Sequence, residues 1–233
     1  MKIEQPLERA VLLKRYKRFL ADVELEDGTQ ETVHCPNPGR MAGCLPERGE
    51  VVLRDSENPK RKLRKTLQTI RVEDEWVNVD TLLPNRVVGE ALRANAIPEL
   101  DGYADVRAEV TSSAGSRLDF LLEDPQRGRC WVEVKCTTLL EDGVAKFPDA
   151  VTARGKKHLE ELQRLVQGGD RAVIFFFVSR ADATSFAPAA HIDPAYADAL
   201  RSAVAAGVEP LAYTARVSPD ELCLGVALPV RIE

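Results

Sequence analysis
The sequence predicts a chain in two parts: an OB-like β-barrel, then an α/β domain with a mixed central sheet. The first 80 or so residues read as short strand-like segments broken by turn chemistry, at the spacing of a small barrel and with poor helix periodicity. From Leu83 onward helical and strand patterns alternate, which demands a different layering and so a second domain. The boundary falls near Leu83-Pro84, giving expected units at 1–82 and 83–233.

In the first unit, Phe19 to Leu25 alternates apolar and polar residues up to the turn Asp27-Gly28, and Glu31 to His34 returns as its hairpin partner. Val51 to Leu53, Thr66 to Val72 and Trp76 to Val79 bring the expected strands to five. The Pro and Gly content of the intervening stretch His34 to Cys44 forbids a long helix or a central strand there. In the second unit, Arg86 to Asn95 reads as a helix, with strands at Asp105 to Val110, Ser116 to Leu122 and Arg129 to Cys136. An amphipathic helix follows over Thr152 to Val166, with Leu159, Leu162 and Leu165 on one face. Arg171 to Val178 is almost continuously apolar, as a strand covered on both faces is. Asp193-Pro194 opens another helix, with Asp at the cap and Pro at the first helical position, and Glu209 to Tyr213 is a last strand.

The chemistry concentrates on two of these strands. Side-chain alternation puts Leu118, Phe120 and Leu122 on one side of the first and Arg117, Asp119 and Leu121 on the other. On the second, Trp131, Glu133 and Lys135 share a face opposite Cys130, Val132, Val134 and Cys136. With Glu123 to Gly128 as the turn between them, Asp119 and Glu133 are expected side by side. Two adjacent carboxylates repel, and a hard divalent cation resolves the conflict, which points to Mg²⁺, or Mn²⁺ in its place, held by Asp119 and Glu133. Such a metal activates water and stabilises charge on a phosphodiester, while Lys135 orients the water or offsets phosphate charge. An Asp followed by Glu-x-Lys on the next strand is the minimal PD-(D/E)xK nuclease signature. A Glu133–Lys135 salt bridge with no catalytic role is the bland alternative for the same residues. The order of helix, three strands, helix and strand matches the core such nucleases use, and Glu90 holds the place where many of them carry a further acid on the first helix.

The formal charge of −5 rules out a uniformly basic nucleic-acid binder, but the charge is uneven. Residues 1–82 hold 15 basic and 15 acidic side chains, and the remainder 17 and 22. Within the first unit the cations gather in Lys14-Arg15-Tyr16-Lys17-Arg18-Phe19, where Arg15, Lys17 and Arg18 alternate with the aromatics Tyr16 and Phe19, and again in the Lys60 to Lys65 run that begins Lys60, Arg61, Lys62. These are the expected phosphate contacts, with Tyr16 and Phe19 available to stack on bases. Lys156 and His158, near the start of the long helix, are expected to add a further phosphate contact. His34, Cys35 and Cys44 lack a zinc spacing, and five cysteines in a chain with no export signal or apolar span predict reduced thiols in a soluble, cytoplasmic protein. No phosphate loop, dinucleotide fingerprint or serine-nucleophile elbow is present in the sequence.

Taken over nearly its whole length, the chain resembles the sugar fermentation stimulation protein A family. The resemblance is carried by Pro6-Leu7, Arg15 to Asp22, the His34-Cys35-Pro36-Asn37 loop, Asn58 to Lys62, Ser116 to Phe120, Val132 to Lys135 and Phe147 to Thr152. Pro38 departs from the usual Thr and Cys136 from the usual Asn, and Leu118 stands where the nuclease signature has its Pro. The resemblance implies an OB-like first domain, a nuclease-like second domain, DNA binding without strong sequence preference and a link to sugar, especially maltose, use. Three readings stay open at this point: a metal-dependent nuclease acting on single- or double-stranded DNA, a non-enzymatic DNA-binding regulator built on the nuclease fold, or a protein that takes RNA. No membrane partner is expected, and oligomerisation is left open.

Overall fold
The computed structural model describes residues 1–112 and 115–232, so three residues of the expected second unit lie outside it. The first unit is a barrel of β1 (Leu7–Tyr16), β2 (Leu20–Leu25), β3 (Gln30–His34), β4 (Glu50–Asp55) and β5 (Lys65–Val72). Strands β1, β2 and β3 form an antiparallel meander, β1 also pairs β4, β4 pairs β5, and a parallel contact at His34–Thr66 joins β3 to β5. The circuit β1-β2-β3-β5-β4 closes with no free edge, and this is the OB arrangement. Alternation builds its core: Ala21 and Val23 of β2 point inward beside Ala10, Leu12, Leu53 and Ile70, while Leu20, Asp22 and Glu24 face out. The expected count of five barrel strands needs correction in its membership. β1 was not among them, and β6 (Glu75–Asn78), which was, extends the hairpin from β5 beyond the barrel circuit.

The second unit is a three-layer α/β sandwich. Its six-stranded sheet runs β7 (Asp105–Thr111), β8 (Arg117–Asp124), β9 (Gly128–Thr137), β12 (Arg171–Val178), β14 (Glu209–Val217) and β15 (Leu222–Ala227), antiparallel at both ends and parallel from β9 through β12 to β14. Helix α1 (Leu83–Arg93) covers one face with Val87, Val88 and Leu92. Helices α2 (Ala153–Gln167) and α3 (Pro194–Ala205) cover the other. Central β12 reads as predicted: Ala172, Ile174 and Phe176 enter one core and Val173, Phe175 and Phe177 the other. Asp193 caps α3 through Tyr196 N–H at 3.0 Å and also accepts from Thr152 N–H at 2.8 Å, tying the starts of both helices together. A small sheet of β10 (Leu139–Glu141), β11 (Val144–Phe147) and β13 (Ser185–Pro188) lies beyond the pattern read from the sequence, as does β15, which follows the strand expected to be last and pairs with it at the sheet edge.

The two units are tied by specific bonds. Asn78 N–H donates to Ser179 C=O at 2.9 Å across the boundary, while within the first unit Arg54 of β4 braces the segment that leads to α1 by meeting the fully buried Asp80 carboxylate at 2.7 Å. The His34 to Cys44 stretch folds down onto the second unit, where Met41 N–H donates to Asp149 at 2.8 Å. Glycine is required at position 39, because a Cβ there would come within 2.6 Å of the Asp149 carboxylate. The five cysteines are free, and Cys35 and Cys44 are buried in the barrel core. No helix of the described residues is long and apolar enough to cross a membrane.

Candidate functional site
The central sheet opens where the acids stand. The β8–β9 ladder runs from Asp124–Gly128 to Phe120–Val132 and stops one pair short of Asp119 and Glu133. On the other side of β8, the ladder with β7 skips Asp119 and Glu109, where Glu109 takes a left-handed φ of +57°, costly for a residue with a side chain. Asp119 therefore lacks a strand partner on both sides. One carboxylate oxygen instead accepts the Val134 N–H at 2.7 Å, and the other accepts Asn85 Nδ2 of α1 at 2.6 Å. Helix α1 can approach because Gly89, one turn on, has no Cβ to strike the Phe120 ring, which would lie 3.0 Å away.

The break also disturbs the predicted faces of β8. Phe120 and Leu122 enter the core under α1, but Leu118 joins the core under α2, so alternation fails across Asp119. Glu133 and Lys135 lie on the α2 side, at a distance of 2.5 Å from carboxylate to ammonium. His158 of α2 brings Nδ1 against the same Glu133 oxygen, and that nitrogen is 3.1 Å from Lys135 Nζ. Arg154 donates to His158 Nε2 at 3.4 Å, so the tautomer with its proton on Nδ1 satisfies the network by donating to Glu133. The second oxygen of Glu133, a residue only 3% exposed, is buried and accepts no hydrogen bond among the described residues.

The electrostatics of the two acids diverge. Burial, reinforced by the charge of Glu133, pushes Asp119 up to about 6. Burial also acts to raise Glu133, but hydrogen bonds and charge from His158 and Lys135 outweigh it and hold this carboxyl below its ordinary value. An uncommitted buried oxygen on an ionised Glu133, next to an acid that its charge disturbs, fits a site for a hard cation. Among the described residues no three His, Cys, Asp or Glu side chains close around one point, so water or substrate oxygens would have to complete any coordination shell.

Of the remaining sequence candidates, some are brought to this centre and some are not. Glu90 is not: it faces a separate cleft, 3.6 Å from the Met1 amino group, and Asn85 is the α1 side chain that reaches Asp119. His158 is not a surface phosphate contact, because it is buried against Glu133, whereas Lys156 is exposed on the same helix. Arg15 is spent on structure: its guanidinium donates to the carbonyls of Asn37 at 2.7 Å, Gly39 at 2.8 Å and Arg18 at 3.1 Å. Tyr16 donates to Asp22 at 3.0 Å and is half-buried. Lys17, Arg18 and Phe19 form the exposed β1–β2 turn, and Lys60, Arg61 and Lys62 the exposed β4–β5 loop, with none of these five cations in a salt bridge among the described residues. In the same run Arg64 is bound to Asp55, and Lys65 to Glu8 and Glu31. The Leu20–His34–Thr66 pairings bring the bases of turn and loop together on one side of the barrel. Asn85 and His158 carried a legible signal, since each is a polar residue on the apolar stripe of its helix.

Comparison with known proteins agrees with this architecture. Residues 13–79 match a family model described as the SfsA N-terminal OB domain, and residues 82–221 match the sugar fermentation stimulation protein RE domain. A sugar fermentation stimulation protein homolog from Geobacter sulfurreducens is 52% identical over 230 residues, covering 99% of this chain and 98% of the relative. Another from Pelobacter propionicus is 52% identical over 225 residues, with 97% of each chain covered. The structure of Pyrococcus furiosus SfsA in complex with Ca²⁺ superposes with a TM-score of 0.88 at 27% identity, covering 99% of this chain and 98% of that one. With both of its halves matched in order and half of its residues shared with these relatives, the chain belongs to the sugar fermentation stimulation protein family.

Proposed function
We propose that the chain is a DNA-binding, divalent-cation-dependent nuclease, with 1–82 as the strand-binding unit and 83–233 as the cleaving unit. The observation that carries the reading is the opened sheet at Asp119 and Glu133, where a buried ionised carboxylate keeps one oxygen without a partner beside Lys135. Asp119 and Glu133 would hold the cation, Mg²⁺ or Mn²⁺, which when bound lowers the pKa of water and offsets phosphodiester charge. The Ca²⁺ in the Pyrococcus furiosus structure supports a hard, oxygen-seeking ion in this family. Lys135 stabilises negative charge at the reacting phosphate. His158 holds Glu133 in place and, relayed to Arg154, fixes which oxygen remains open. In the barrel, Lys17, Arg18 and Lys60 to Lys62 neutralise phosphates while Phe19 offers a stacking surface, the way OB barrels use these same two loops. The relatives' name further suggests a role in sugar use.

A second reading, a DNA-binding regulator without cleavage, is favoured by one observation: both Asp119 oxygens already hold protein donors. Labelled single-stranded and duplex DNA incubated with Mg²⁺ separates the two. Cleavage by the native chain that Asp119→Ala and Lys135→Ala each abolish, with binding retained, supports the nuclease; tight binding with no cleavage of either DNA supports the regulator. Matched RNA strands in competition decide the nucleic acid preferred.

A further inference from the structure
Helix α1 presents a face that the site above does not use. Residues 86, 90 and 93 recur at helical spacing on its outer side. Arg86 and Arg93 line a hollow of about 220 Å³ that reaches Asp119, and the same two side chains line an adjoining cleft of about 380 Å³ between α1 and the N-terminal segment. The hollow and the cleft thus share a wall of two guanidinium groups. Neither arginine meets a carboxylate within salt-bridge reach among the described residues, although Arg54, in the same cleft, is bound to Asp80. Arg93 makes one hydrogen bond, to the Gly89 carbonyl at 3.0 Å, and most of its donors stay open.

Cations without an ion-pair partner are unexpected in a unit with 17 basic against 22 acidic residues, and these two line the hollow that opens onto Asp119 and Glu109. A phosphodiester nearing Asp119 is repelled by its charge and by that of Glu133, and two guanidinium groups along the α1 wall of its path offset that repulsion with planar forks that match phosphate oxygens. Seven residues of helix separate the two by roughly 10 Å along the axis. That exceeds the spacing of neighbouring phosphates on one strand, so each arginine takes a different phosphate. We propose that Arg86 and Arg93 form a phosphate clamp that leads one DNA strand along α1 to Asp119. The clamp rests on the nuclease reading and adds to it the path by which the strand arrives.

The test is fluorescence anisotropy of a labelled DNA single strand with the full chain, titrated between roughly 50 and 200 mM salt. Arg86→Ala with Arg93→Ala should weaken binding roughly tenfold or more and reduce the slope of log affinity against log salt by about 1.4, two phosphates' worth. The double lysine variant should keep most of that slope, and Arg201→Ala, on α3 across the sheet, should match the native chain. A native slope in the double alanine variant overturns the clamp and leaves the nuclease reading standing. Absence of salt-dependent binding by the native chain overturns both.

Discussion

Asp119 shows how one residue's surroundings set its chemistry. Unfolded, its carboxyl titrates near 3.8; folded, burial and the Glu133 charge move it to about 6, so folding favours the protonated form. The penalty for ionising it is absent below pH 4 and complete above about pH 6, amounting to about 3 kcal/mol as an upper figure. Asp119→Asn carries no such penalty. Urea unfolding with divalent cations chelated should show the variant gaining stability relative to the native chain between pH 4 and pH 8, and a difference that does not change with pH would contradict the account. The residues of this centre were unevenly legible. Strand alternation was enough to single out Asp119, Glu133 and Lys135. Asn85 was missed because helix periodicity tells which side faces the sheet but not which strand lies beneath it. The reversal of Leu118 was missed because alternation assumes an unbroken ladder, and here the ladder stops at the functional residue.

Among the elements, the β1–β2 turn separates structural from binding charge. Lys17 and Arg18 both hold left-handed φ values, +48° and +63°, and Arg15 clasps this turn and the His34 to Cys44 stretch together. Arg15→Ala strands several carbonyls and should cost roughly 2 kcal/mol or more in thermal or urea unfolding. Lys17→Ala with Arg18→Ala should leave stability close to native yet weaken DNA binding; the reverse pattern would assign the binding role to Arg15. The sequence treats these neighbouring cations alike, since composition cannot say which guanidinium finds carbonyls. β1 itself escaped detection because its half-buried outward positions, among them Leu7, Val11 and Leu13, are apolar as well and blur the two-residue period. The strands of the small sheet, three or four residues each, are too short for any period to emerge.

At the scale of the whole molecule, the barrel and the sandwich are held as one body by buried polar bonds as much as by packing. Arg54 is the only salt-bridge partner of the fully buried Asp80 among the described residues, so Arg54→Ala strands this carboxylate where the chain leaves the barrel for α1. Such a loss typically costs 3–5 kcal/mol, and thermal unfolding should show a drop of at least roughly 3 kcal/mol; a change under about 1 kcal/mol would mean that other contacts compensate Asp80. This pair was not legible in the sequence, because its partners are 26 residues apart, on β4 and in the segment after β6 that leads to α1. The order of the larger elements of the second unit, by contrast, was legible from α1 to β14, since long apolar strands and amphipathic helices advertise their period. The central claim is that Asp119 and Glu133 form one cation site, and calorimetric titration of Mg²⁺ and Ca²⁺ into the native chain, Asp119→Asn and Glu133→Gln tests it most directly. Saturable binding to the native chain that each substitution abolishes or severely weakens is the expected result; identical isotherms for all three proteins, or no saturable binding by the native chain, would contradict a shared site.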